Sequence, residues 1–209
     1  MGYTPRMELF GYDPSVNLLP RDGVVNYYGP IFPEDVAQRY LAGLMTEVAW
    51  QPDEVVLFGK HVVTKRLVAW YGDANFSYAY SGTTKEALPW SPQLLELKAA
   101  VETASGETYN SCLLNLYHDG NEGMGWHSDD EKTLLKDAPI ASVSFGAERK
   151  FCFKHKREQE HALEPVSVML AHGSLLVMKG TIQRHWLHSL PKLAKVKTPR
   201  INLTFRTFG

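Results

Sequence analysis

His127 and Asp129 are two residues apart, so on an extended segment both side chains leave one face and can grip a metal ion from one side. His188 can add a third ligand from a distant strand. Two imidazoles and one carboxylate on one side of an ion leave its other side open, an arrangement that suits non-haem Fe(II) oxygen chemistry. Zinc accepts the same ligands, but a closed structural zinc centre usually wants four protein ligands including sulfur. The only cysteines are Cys112 and Cys152, both in apolar segments where packed, reduced thiols are the simpler reading.

An isolated His-x-Asp pair is common in surface loops, and the C-terminal residues are what raise this one. Arg200, Asn202 and Arg206 are interleaved with Ile201, Leu203 and Phe205, and their even spacing places the three polar groups on one face of a strand. That face cannot be ordinary core. Two guanidiniums turned toward a buried surface are costly unless carboxylates pair with them, so a dicarboxylate ligand would account for both. Asn115 and Tyr117, again two apart, can add neutral hydrogen bonds to the same ligand.

Taken together, residues 115–117, 127–131, 141–146, 188–190 and 200–206 resemble the AlkB family of Fe(II)/2-oxoglutarate-dependent nucleic-acid dealkylating dioxygenases. The similarity runs from about Asp53 to the C-terminus and is greatest to the branch that repairs duplex DNA. It implies Fe(II), 2-oxoglutarate as cosubstrate and O2, with the iron on His127, Asp129 and His188. It further implies that Asn115, Tyr117 and Arg200 hold the distal carboxylate of 2-oxoglutarate, while Asn202 and Arg206 serve the end that chelates the metal. His185 precedes His188 by three and would point to the opposite face of a strand; the family's spacing to the first arginine fits His188, which leaves His185 as a supporting or surface residue.

The activity implied is oxidative dealkylation of 1-methyladenine or 3-methylcytosine in DNA, with release of succinate, carbon dioxide and formaldehyde and no protein nucleophile. Two alternatives stand beside it. One is an RNA or protein demethylase or hydroxylase of the same superfamily; the other is a non-catalytic nucleic-acid-binding module, which has no reason to carry three metal ligands and two facing arginines.

Elements must hold these residues in place. Pro33 opens a helix whose apolar stripe runs through about Val48, and Ser91 caps a second from Pro92 through Val101 that ends before Gly106. From Thr108 the pattern becomes short strands: 109–117, 140–145, 150–154, 166–170, 174–178, 185–187 and 200–207. The expected fold is mainly β with flanking helices (α+β), a double-stranded β-helix or jelly roll with the metal in the mouth between two sheets. One domain is expected over 1–209, with the N-terminal extension, helices and a nucleotide-recognition lid to about 107 and the catalytic core from about 108.

The lid reading covers Asp53 to Gly82. Taken alone this is a pair of strands and a loop; the resemblance makes Phe58 an apolar wedge that fills the gap left by a flipped base. Lys60 and Arg66 would touch phosphate, and Tyr78, Tyr80 and Ser81 would line the flipped-base pocket, with one aromatic stacking opposite His127. Glu131 matches a position near the exocyclic edge of the base, where a carboxylate accepts from an amino group. Lys154 and Lys156 belong to the clearest basic patch, with Lys150 and Arg157, and read equally as phosphate contacts or as a solvated edge. The short acidic run Arg157, Glu158, Gln159 and Glu160 departs from the longer basic loop of the duplex-acting relatives.

The formal charge of −1 supplies no global field for nucleic acid, so DNA or RNA must be held by local patches. Neither a signal peptide nor a membrane span is recognisable, which makes a cytoplasmic location and no membrane partner the default. No protein partner is inferable, and a monomer is expected.

Overall fold

In strand after strand of the C-terminal half, apolar residues alternate with polar ones although both faces are buried. The computed structural model describes residues 12–57, 60–73, 76–80, 83–157, 159 and 162–209, with backbone alone at 55–57, 60–62, 77–80 and 83–85. Its strands are β1 (Val24–Pro30), β2 (Gln51–Leu57), β3 (Lys60–Gly72), β4 (Ser77–Tyr80), β5 (Thr83–Glu86), β6 (Leu88–Pro89), β7 (Ser111–Tyr117), β8 (Met124–His127), β9 (Ile140–Gly146), β10 (Arg149–His155), β11 (Val166–Leu170), β12 (Ser174–Lys179), β13 (Trp186–Leu190) and β14 (Arg200–Arg206). The helices are α1 (Glu34–Glu47), α2 (Pro92–Ser105) and the single turn α3 (Ile182–His185).

A large sheet runs in the order β1-β12-β9-β14-β7-β3-β2, with β6 beside β3, and a smaller one in the order β11-β10-β13-β8. The two faces of the large sheet belong to different cores. Leu114, Leu116, Val143, Phe145, Leu175, Val177, Ile201, Leu203 and Phe205 pack with Leu44 of α1 and Leu94, Leu97 and Val101 of α2. The alternate residues Tyr117, Leu176 and Met178 turn inward and meet Phe151, Phe153, Trp186 and Leu190 of the small sheet. The inward face of β14 is therefore Arg200, Asn202, Thr204 and Arg206, all buried. This is the jelly-roll sandwich expected from the strand spacing.

Both long helices begin and end where expected. Pro33 precedes α1, and Glu34 and Asp35 lie in its first turn, where carboxylates favour the helix dipole. Ser91 Oγ accepts the N–H of Leu94 at 3.3 Å, and α2 stops at Gly106 in the left-handed region at φ 71°. Among the described helices none is long and apolar enough to cross a membrane.

Three features differ from expectation. Residues near 185 form α3 and then β13, because Trp186 Nε1 donates to Arg21 O at 3.1 Å and anchors the turn; one helical turn leaves no periodicity to read. Met124–His127 is a separate strand, pairing His127 with His188. Residue 107 divides no sheet either: β1 pairs β12, and the Leu67–Gly72 half of β3 pairs β7. The β2–β3 hairpin thus extends the large sheet beside Asn115.

Candidate active site

β8 and β13 bring His127 and His188 into register, and the loop after β8 returns Asp129 beneath them. The imidazole centroids are 4.2 Å apart, and His127, Asp129 and His188 offer donor atoms all within 4.8 Å of one another. His127 Nδ1 lies 2.9 Å from Gly125 O, so the proton sits on Nδ1 and the lone pair of Nε2 faces the cluster. Burial pushes the His188 imidazole down to about 4, overriding the attraction of Asp129, so it is neutral and ready to ligate at physiological pH. Burial opposes the charge of Asp129 as well, but Arg206, then His188 and His127, outweigh it and hold the carboxyl below its ordinary value. Two imidazoles and an ionised carboxylate are the donor set a divalent iron takes.

The guanidiniums differ in a way their spacing did not disclose. Arg206 donates from Nη2 to Asp129 Oδ1 at 2.7 Å and reaches Glu131 Oε1 at 3.4 Å, leaving only Nε without a partner. Arg200 is fully buried, and no described carboxylate pairs with it. It donates to Ser144 Oγ at 2.9 Å and Asn202 Oδ1 at 2.8 Å, lies over the Tyr117 ring at 5.6 Å, and has an unpartnered Nε. Burial, opposed by Tyr117, pulls it down to about 10. One buried guanidinium therefore awaits an anion, where two were expected. Asn115 Oδ1 is likewise buried and unpartnered. Asn202 accepts from Ser142 Oγ at 3.1 Å and Arg200 Nη2 at 2.8 Å and donates to Thr204 Oγ1 at 2.8 Å, which makes it a brace for Arg200.

Asn115, Tyr117, His127, Asp129, His188, Arg200, Asn202 and Arg206 all line one small cavity of about 60 Å³. It adjoins a second cavity of about 360 Å³, which shares Asn115, His127, Asp129 and Arg206 and adds Asp53, Arg66, Trp70 and Glu131. Glu131 Oε2 is buried there without a protein partner, as a group waiting for an amino donor would be. Arg66 requires a correction. It is buried in an ion pair with Asp53 and donates to Met124 Sδ at 3.3 Å, so it lines the cavity and is not a phosphate contact.

Lys156 is corrected too, because Nζ donates to Ser128 Oγ at 3.1 Å and Gln183 O at 2.9 Å and so clamps the metal loop. Lys154 faces outward, its Nζ 4.9 Å from the centre of the Trp126 ring. Phe58 and Ser81 lie outside the described residues; Lys60 falls on β3 and Tyr78 and Tyr80 on β4, with their side chains outside the description.

Sequence reasoning missed Gln183, whose Oε1 accepts the Asp129 N–H at 2.9 Å from the unforeseen turn α3. Groups that orient a metal ligand typically carry about 10- to 100-fold in metal affinity. Gln183→Leu is accordingly expected to weaken Fe(II) or Mn(II) binding about tenfold with little change in melting temperature, as read by anaerobic metal titration and calorimetry.

His185 joins Asp22 and His155 in a second cluster with donor atoms within 4.8 Å. There His155 Nδ1 accepts the Arg157 N–H at 3.1 Å, and its Nε2 lies 3.3 Å from Asp22 Oδ2. Arg21 takes the same carboxylate at 2.9 Å. In that cluster Asp22 is shared with Arg21 and His155 Nδ1 is taken by a backbone N–H, whereas His127, Asp129 and His188 are the group that could hold iron.

A jelly roll with two histidines and an aspartate at its mouth, and behind them a buried arginine in the same cavity that no described carboxylate pairs with, defines an oxygenase of the iron and 2-oxoglutarate class. The model of the 2OG-Fe(II) oxygenase superfamily matches residues 24–206. DNA oxidative demethylase ALKBH2 of Mus musculus is 40% identical over 90% of this chain and 82% of its own length, and that of Homo sapiens 40% over 92% and 77%. Alpha-ketoglutarate-dependent dioxygenase alkB homolog 3 of Bos taurus is 45% identical over 83% of this chain, which spans 58% of that protein. The solved structure of OsALKBH1 superposes with a TM-score of 0.58 at 16% identity over 90% of this chain and 98% of that one, a likeness of fold. The chain belongs to the AlkB family of 2OG-Fe(II) oxygenases.

Proposed function

We propose that this chain removes N-alkyl groups oxidatively from bases in DNA, of the 1-methyladenine and 3-methylcytosine type, as a direct-reversal repair enzyme. The observation that carries this reading is the pairing of two cavities. A small one holds the metal ligands and an arginine without a carboxylate, and a larger one begins at those ligands and presents an unpartnered carboxylate oxygen of Glu131. The names of the ALKBH2 relatives point the same way.

Arg200, braced by Ser144 and Asn202 and backed by Tyr117, receives the distal carboxylate of 2-oxoglutarate, to which the Asn115 amide N–H in the same cavity can donate. His127, Asp129 and His188 hold Fe(II). Bound there, the iron supplies the oxidising chemistry: O2 hydroxylates the N-alkyl carbon while 2-oxoglutarate becomes succinate and carbon dioxide, and the hydroxylated carbon then leaves as formaldehyde. The chain's own task is geometry. Gln183 and Lys156 fix the loop that carries Asp129, Arg206 keeps that carboxylate ionised, and Glu131 Oε2 accepts from the base's exocyclic amino group so that the alkyl carbon faces the metal. Phe58, Lys60, Tyr78, Tyr80 and Ser81 are the lid residues for the flipped nucleotide, and DNA is the partner.

Formaldehyde release from methylated single-stranded DNA, duplex DNA and RNA, measured side by side, tests the reading. Release from either DNA substrate, lost in Asp129→Ala, is expected. Release from RNA alone, or from none of the three with succinate formed on a peptide, contradicts it.

A further inference from the structure

Opposite the metal, the outer face of the small sheet carries a group of residues the reaction does not use. None of β8, β10, β11 or β13 contains an aspartate or glutamate. Trp126 directly precedes the ligand His127 yet points away from it, 43% exposed. Lys154 lies over its ring at 4.9 Å, and Lys150, Cys152 and Lys154 alternate on the same side of β10. Met169, 44% exposed, pairs with Lys150 across β11. An exposed indole among lysines, on strands free of carboxylates, suits a partner with both flat π faces and repeated negative charge. Unpaired nucleic acid has both, whereas a duplex hides its base faces. The platform is also continuous with the site, because β8 presents Trp126 outward and His127 inward on consecutive residues.

We propose that Trp126, with Lys154 and Lys150, forms a platform for single-stranded nucleic acid next to the target nucleotide. An unpaired base stacks on the exposed indole, and the ammonium of Lys154, already at the ring, takes the adjoining phosphate while Lys150 takes one further along. This rests on the reading that the substrate is nucleic acid, and adds to it a preference for unpaired flanks. Lys156 has no part in the platform, being bound to Ser128 and Gln183.

The test is fluorescence polarisation of the full chain, loaded anaerobically with Fe(II) and 2-oxoglutarate, against a labelled single-stranded deoxyoligonucleotide, the same sequence as duplex, and an oligoglutamate peptide. Trp126→Ala is expected to weaken single-strand binding about tenfold with duplex binding unchanged, and Trp126→Phe to retain most of it. Lys154→Ala should lower the salt dependence of single-strand binding by about one unit of slope. Single-strand affinity within twofold of wild type in Trp126→Ala, equal loss on both nucleic acids, or Trp126-dependent capture of the acidic peptide overturns the platform. Trp126-dependent binding without formaldehyde release leaves the platform standing and sinks the demethylase reading; normal release without Trp126 dependence does the reverse.

Discussion

Replacing Arg200 by methionine is expected to abolish productive 2-oxoglutarate binding while leaving the protein at least as stable as before. The two effects have one cause. Arg200 is buried with two neutral acceptors and, among the described residues, no carboxylate, and its fall from the ordinary guanidinium value to about 10 represents a cost to the charged form on the order of 3 kcal/mol. The sign follows from the depressed value. The unfolded chain holds that proton more tightly than the folded one, so the penalty is present in full below about 10 and is relieved as pH rises toward the ordinary guanidinium value. Methionine removes it, and apolar replacements of buried charges are often neutral or stabilising. Binding goes the other way, because a buried charge-assisted pair is lost, and the 2-oxoglutarate Kd should rise at least about a hundredfold. Calorimetric titration and thermal melting of the same protein read both effects. A destabilised Arg200→Met that binds 2-oxoglutarate normally would show the guanidinium to be a structural group.

The equivalent change at Arg206 is expected to do the opposite to stability. Its guanidinium is the protein's counter-charge to Asp129, with both side chains buried at 2.7 Å. Removing one member of a buried pair strands the other and typically costs about 3–5 kcal/mol. Arg206→Met should therefore lower the melting temperature of the metal-free protein sharply. A divalent cation on Asp129 replaces the missing charge, so saturating Mn(II) should recover much more of the melting temperature in the variant than it adds to wild type. Equal metal-induced shifts in both proteins would mean that Arg206 does not neutralise Asp129. The two arginines lie six residues apart on one strand, and their predicted effects on the metal-free protein have opposite signs because one has a carboxylate partner and the other, among the described residues, has none.

That difference marks how far the sequence could be read. Period-two alternation from Arg200 to Arg206 identified the strand, its polar face and the need for a carboxylate, because a strand leaves its residues no other geometry. Alternation cannot say which guanidinium finds a partner inside the protein, since Asp129 and Glu131 arrive from a loop more than 70 positions away. The capped ends of α2 were legible in Ser91 and Gly106, whose chemistry is local. Gln183 left no signal and Lys156 read only as part of a basic patch, because both act across distances along the chain that no short pattern spans. Arg66 read as a phosphate contact beside Lys60, and only the burial of Asp53 opposite it reveals a cavity wall. Asn202 sat on the expected face but facing its own neighbours, a distinction of a single side-chain rotation.

The central claim is that His127, Asp129 and His188 hold iron while Arg200 holds the cosubstrate on the same side of the sandwich. Anaerobic titration of the full chain with Fe(II) and then 2-oxoglutarate addresses it directly. The account predicts a weak visible charge-transfer band that needs both additions, saturates at one equivalent of iron, and is lost in His188→Ala. A wild-type protein that binds both without the band, or a band that persists in His188→Ala, would contradict it.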